Sequence, residues 1–126
     1  MSEEALLTRV GPCFVNDILG ETSMSIIVTG PITIDPADRD KAVELMRPMV
    51  EASRAEAGCL SYGFYEDPLQ AGAFRVVEEW VSEDALDAHF NEPHMAAFLG
   101  GIGGIKILGM DVKFYRAEEF ERGLPG

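Results

Sequence analysis

From residue 24 the chain reads MSIIVTGPITI (24–34), with β-branched and apolar side chains on both alternating faces, which predicts a strand. Asp35-Pro36 follows as a helix N-cap with proline at the first helical position. The apolar period then lengthens to three or four residues through Ala42, Val43, Met46, Met49, Val50 and the small Ser53. That spacing predicts a helix over about 36–57, with Gly58 where a helix C-cap would stand. Pro48 falls inside it. Proline cannot donate to the carbonyl of Glu44 and crowds that turn, so a kink is expected, at a cost of about 3 kcal/mol that flanking contacts must offset.

CLSYGFYE (59–66) is a second strand, DPLQAG (67–72) carries turn chemistry, and AFRVVEEWV (73–81) is a third strand, so the pair reads as a hairpin with a longer loop. Ser82 caps a helix whose first turn holds Glu83 and Asp84, where the helix dipole favours acids; SEDALDAHF carries it to about Asn91. Pro93 starts another helical piece, PHMAAFL, ended by Gly100 and Gly101, and MDVKFYRA (110–117) is the last strand.

The order β-α-β-β-α-(α)-β is the α+β, ferredoxin-like split β-α-β arrangement: an antiparallel four-stranded sheet with helices on one face. Residues 23–117 form that domain, 118–126 a polar tail, and 1–22 an N-terminal arm too apolar (Leu6, Leu7, Val10, Phe14, Ile18, Leu19) to float free. The strands are apolar on both faces: Ile26 and Val28 against Ile27, Val76 against Val77, Leu60 and Phe64 against Cys59 and Tyr65. A sheet with one wet face alternates more cleanly, so the face away from the helices needs a cover. A second copy of the chain supplies it most simply, and a homodimer is expected.

Composition narrows the function classes. One domain is expected from 126 residues, of which 47% are hydrophobic, enough for a core without metal or disulfide. Twenty-two acidic residues against 10 Lys and Arg give a net charge of −12, which disfavours nucleic acid and anionic membrane surfaces. Cys13 and Cys59 share no metal spacing and read as reduced thiols. The acidic, run-free MSEEALLTRVGP is no secretory signal, and no stretch reaches the ~18 apolar residues of a membrane span, so a cytoplasmic protein is expected.

Candidate chemistry concentrates in EEWVSEDALDAHFNEPHMAAF (78–98). Glu78 and Trp80 lie two apart on a strand and share a face, which Tyr62 joins if the register allows. His89 follows on the next helix; His94 and Phe98, four apart, share a face of the helical piece after it. Packing alone also accounts for a strand-end tryptophan or a helix histidine. The five-residue step from His89 to His94 across Pro93 is not a one-helix zinc pair, so no metal is expected. GGIGG (100–104) lacks the phosphate-loop spacing and follows a helix, so it reads as a flexible connection. No nucleophile elbow is present.

The combination of GCLSYGFYEDP (58–68), Phe74, Glu78-x-Trp80, Ser82, Leu86-x-x-His89 and Pro93-His94-x-x-x-Phe98 resembles the antibiotic biosynthesis monooxygenase family over about residues 24–117. That family includes small quinol monooxygenases, polyketide anthrone monooxygenases and heme-degrading enzymes. The resemblance implies a dimeric α+β barrel with a pocket between the sheet and the later helices, where Tyr62, Trp80, His89, His94 and Phe98 would converge. It also implies cofactor-free chemistry. A phenol or anthrone loses a proton, and the anion reduces O₂ on the way to a quinone. A base and a dry cavity are what the protein must supply. His89 is the base of choice by intrinsic pKa; Glu78 would orient it or act instead. Tyr62, Trp80, His94 and Phe98 would bind a flat aromatic substrate. Two alternatives stand beside this: a non-oxidative enzyme, such as an isomerase, on a small carbonyl metabolite, and a ligand-binding dimer without catalysis.

Overall fold

The computed structural model describes residues 24–125; the N-terminal arm expected over 1–22 lies outside them. Strand β1 (Met24–Ile34) leads through a 3-10 turn (Pro36–Asp38) into helix α1 (Arg39–Arg54). Strands β2 (Cys59–Glu66) and β3 (Ala73–Trp80) follow, then helices α2 (Glu83–Phe90) and α3 (Pro93–Ile102), then strands β4 (Ile107–Met110) and β5 (Lys113–Glu118). Ile26–Tyr115 form one compact unit, which holds every residue discussed below.

The sheet runs β2-β3-β1-β4, with β5 also paired to β1; the β2–β3, β3–β1 and β1–β4 pairs are antiparallel. The ferredoxin-like arrangement is therefore present, with five strands in place of the expected four. Because β3 lines one edge of β1 from Ile26 to Thr33, β4 and β5 share the other edge as one interrupted strand. The interruption is at Asp111-Val112. Asp111 donates its N–H to the Pro31 carbonyl at 3.0 Å, and its own carbonyl crosses above Gly30. A Cβ at Gly30 would stand 2.0 Å from that oxygen and 2.7 Å from the Val112 Cα, so only glycine admits the crossing. Gly30→Ala is expected to cost about 1–3 kcal/mol, since main chain and not a flexible side chain must move. Urea unfolding measures this; a variant as stable as wild type would mean the crossing relaxes freely.

Local chemistry explains the other boundaries. Ser82 Oγ accepts the Ala85 N–H at 3.1 Å, the cap expected for α2, whereas Asp35 Oδ1, accepting the Ala37 N–H at 2.9 Å, caps the 3-10 turn ahead of α1, which begins at Arg39 and not at the expected 36. Helix α1 runs through the exposed Pro48 and ends at Arg54, earlier than the expected 57. Gly58 is therefore not its cap. A Cβ there would lie 2.3 Å from the Ala85 Cβ, so Gly58 lets α2 approach the start of β2.

One face of the sheet is buried under the helices. Ile26, Val28, Ile32 and Ile34 of β1, Phe74 and Val76 of β3, and Ala42, Met46 and Met49 of α1 form its apolar core. Each such aliphatic or aromatic side chain, fully buried, contributes about 1.5–3 kcal/mol. A bulge between Cys59 and Ser61 changes the expected facing of β2. Cys59 pairs with Trp80 and packs with Tyr62, while Leu60, expected to side with Phe64, is exposed. On the opposite face Ile27 and Val77 are half-buried and Tyr65 is exposed.

Candidate active site

The register brings the predicted residues together. Tyr62 pairs with Glu78 across β2–β3, Val28 pairs with Glu78 across β1–β3, and Trp80 is two residues along on the same face. All three polar-headed side chains thus point under the helices at one end of the sheet. Tyr62 is 3% exposed, Glu78 7% and Trp80 0%. The Trp80 indole donates from Nε1 to Glu78 Oε1 at 2.9 Å.

His89 arrives from the last turn of α2 and is fully buried. Its ring centroid lies 4.6 Å from that of Trp80 and 5.6 Å from that of Tyr62. Its carboxylate partner is not Glu78, as the sequence had suggested, but Glu56 in the turn between α1 and β2. His89 Nδ1 lies 2.7 Å from Glu56 Oε2, and His94 Nε2 lies 2.6 Å from the same oxygen. An ionised carboxylate offers only acceptors, so both nitrogens carry the proton in these bonds. In the neutral imidazole the remaining nitrogen of His89, Nε2, then carries no proton; it is buried and, among the described residues, has no hydrogen-bond partner. Glu56 thus selects the tautomer that leaves a free basic nitrogen within a mostly aromatic shell.

His94, near the start of α3, is partly exposed, and Phe98 one turn later stacks on Phe64 with ring centroids 5.7 Å apart. Five of the six residues singled out in the sequence therefore meet directly, in two sets of contacts, Glu78–Trp80 and His94–Glu56–His89, joined by the Tyr62, Trp80 and His89 rings; the sixth, Phe98, reaches them through Phe64, whose ring meets that of Tyr62. Glu56 was the residue sequence reasoning missed. In the sequence it falls near the end of the helix expected over 36–57, as one acid of EASRAEAG; the usable signal is that it stands three residues before Cys59, whose partner is Trp80.

Burial sets the electrostatics. It pushes the Glu78 carboxyl up to about 7; the bond from Trp80 opposes the shift and the charge of Glu56 adds to it. Burial likewise raises the Tyr62 phenol well above its ordinary range, helped by the Glu78 charge, and raises the Cys59 thiol to about 11. Neither Tyr62 nor Cys59 is an anion near neutrality, so neither serves as a ready base or nucleophile.

A separate cleft of about 470 Å³ is lined by Arg39, Val43, Arg47, Glu51, Phe64 and Glu66 among others, and by none of the six predicted residues. Its chief charges are already matched: Arg39 holds Glu66 with Nη2 at 2.8 Å from Oε1 and Nε at 3.2 Å from both oxygens. Among the described residues the buried side-chain atoms without a hydrogen-bond partner are Ser53 Oγ and His89 Nε2; only the second is a base, and the chemistry is better sought there.

Comparison with known proteins gives the family. The family model described as antibiotic biosynthesis monooxygenase matches residues 25–100. "Uncharacterized protein sll1783" of Synechocystis is 32% identical over 108 residues, 86% of this chain and 73% of that protein. "Putative monooxygenase YcnE" of Bacillus subtilis is 26% identical over 93 residues, 74% of this chain and 96% of that protein. Among solved structures, PA3566 from Pseudomonas aeruginosa superposes with a TM-score of 0.64 at 30% identity, covering 80% of this chain and 97% of that one. The "putative antibiotic biosynthesis monooxygenase" from Deinococcus radiodurans gives 0.72 at 23% identity over 79% of this chain and 99% of that one, a likeness of fold. The chain belongs to the antibiotic biosynthesis monooxygenase family.

Proposed function

We propose that this protein is a cofactor-independent monooxygenase that oxidises a small aromatic quinol or anthrone with O₂. One observation carries the reading: His89, beside the Trp80 and Tyr62 rings, has Nδ1 tied to Glu56 and a buried Nε2 without a partner among the described residues. A base so held suits removal of a weakly acidic proton from a flat substrate in a dry site.

The steps balance without an added reductant. His89 Nε2 takes a proton from the substrate carbon or hydroxyl. The electron-rich anion gives one electron to O₂, and the radical pair joins to form a carbon–oxygen bond. The resulting peroxide takes back the proton from His89. Breaking the O–O bond and the remaining C–H bond then leaves a carbonyl and one water. The substrate loses two hydrogens and gains one oxygen atom; the other oxygen leaves as water. Tyr62, Trp80 and Phe98 supply ring faces, His94 reaches the site from its partly exposed side, and Glu78 anchors the Trp80 indole while remaining the second candidate base.

The working unit in this reading is a homodimer. Half-buried Ile27 and Val77 on the open sheet face, together with exposed Leu108, Met110, Phe114 and Tyr115 on β4 and β5, favour a partner. Light scattering at micromolar concentration is expected to give twice the chain mass of 13.8 kDa; a monomer would remove this part. For the activity, oxygen uptake is to be followed with a panel of quinols and anthrones. Uptake matched by formation of the carbonyl product is expected, and silence across the panel would count against oxygenation and for the non-oxidative or ligand-binding alternatives.

A further inference from the structure

We propose that Glu56, His89 and His94 form a binding site for one divalent transition-metal cation of the zinc type, and that its occupancy switches off His89 as a base. The second half rests on the function proposed above; the first does not.

The donors come from three elements: the turn after α1, the last turn of α2 and the first turn of α3. Glu56 Oε2, His89 Nδ1 and His94 Nε2 offer one ligand atom each, all within 4.8 Å of one another. Ligands 2.0–2.2 Å from one metal stand roughly 3.0–3.5 Å apart. The present contacts of 2.6 and 2.7 Å to Glu56 therefore need to open by less than about 1 Å, and the two imidazole nitrogens, no more than 4.8 Å apart, to close toward that spacing, to admit the ion. Two imidazoles and a carboxylate are a borderline donor set, suited to zinc, iron, nickel or copper over magnesium or calcium. Three protein ligands leave at least one position for water. The side chains of Glu56, His89 and His94 are 10%, 0% and 18% exposed, so the cluster is sheltered yet reachable past His94. The net charge of −12 draws cations toward the protein. The sequence conceals the set because Glu56 lies 33 residues before His89 and the histidines are not on one helix.

The consequence for catalysis follows from the tautomer. Without metal, Nδ1–H donates to Glu56 and Nε2 is the base. With metal on Nδ1, the imidazole keeps its one proton on Nε2, which becomes a donor and cannot accept a proton from substrate. The buried Nε2–H then has the neighbouring aromatic rings as weak acceptors.

The test is a zinc(II) titration of protein freed of metal by chelation, in competition with a chromophoric chelator. One ion per chain is expected, with binding weakened at least tenfold in His94→Gln and in Glu56→Gln. His94 is partly exposed, so that variant keeps its fold if Glu56→Gln does not. Cobalt(II) as a second probe is expected to give visible bands of a nitrogen–oxygen site without thiolate charge transfer, which separates this site from the cysteines. Turnover is expected to fall in step with zinc occupancy and to return with chelator. Wild type that fails to compete, or that binds no better than His94→Gln, overturns the site. Zinc binding that depends on His94 in a protein that oxidises no quinol keeps the site and removes the proposed activity. A zinc-loaded enzyme that turns over at the full rate keeps the site and overturns the switch.

Discussion

His89→Ala is expected to fold and to lose roughly 10²–10⁴ in kcat on a quinol or anthrone, the usual share of a positioned general base. The loss should be largest near neutral pH. It should shrink as the pH nears the substrate's own pKa, because solution then supplies the anion unaided. Trp80→Phe provides the contrast. It keeps a ring face for stacking and removes the indole N–H that now holds Glu78 at 2.9 Å. If Trp80 only positions substrate, KM rises more than kcat falls. Far-UV circular dichroism checks that both variants fold. A His89→Ala enzyme with unchanged kcat at pH 7 would return His89 to a packed helix histidine and pass the base role to Glu78 or His94.

The second large effect is on stability and comes from Glu78. Its carboxyl titrates at the ordinary 4.5 when unfolded and at about 7 when folded, chiefly through burial. The folded state therefore holds this proton more tightly than the unfolded chain. Between those values the folded state binds more protons, so stability falls as pH rises. The contribution is fully present below pH 4.5 and is lost once the pH passes about 7. A shift of that size corresponds to roughly 3 kcal/mol. Glu78→Gln keeps an oxygen to accept from Trp80 and carries no charge. Its stability curve is expected to lack this decline, so that the variant gains on wild type between pH 5 and 8 by up to roughly that amount. Denaturant unfolding of both proteins across the range measures the difference, in which the titration of the other acids and histidines cancels. Parallel curves would mean that Glu78 is solvated or charged in the fold.

Most of the framework was legible in the sequence because its signals are local. Asp35-Pro36 and Ser82 announce their helix starts through side-chain geometry that needs no tertiary contact. Glu78 and Trp80 share a face because strand periodicity fixes it. What escaped depends on contacts between distant segments. The break between β4 and β5 is set by Asp111 crossing Gly30, 81 residues earlier in the chain, and nothing within MDVKFYRA betrays it. The bulge at Cys59–Ser61, which sends Leu60 to solvent, likewise answers to the register with β3. Glu56 was the costliest omission. Its role exists only once α1, α2 and α3 bring the turn acid, His89 and His94 together, and from sequence it is one of 22 acids on an acidic chain. Without it, Glu78, which strand periodicity puts on the same face as Trp80, was the natural orienting partner for His89, whereas the fold gives Glu78 to Trp80.

Oxygenation by a residue base without a cofactor is tested by turnover under ¹⁸O₂ of enzyme stripped of metal by chelation. The expected result is one labelled oxygen in the product carbonyl, the other in water, at a rate that chelation leaves intact and His89→Ala removes. Product formed without label, or activity abolished by chelation, would contradict it.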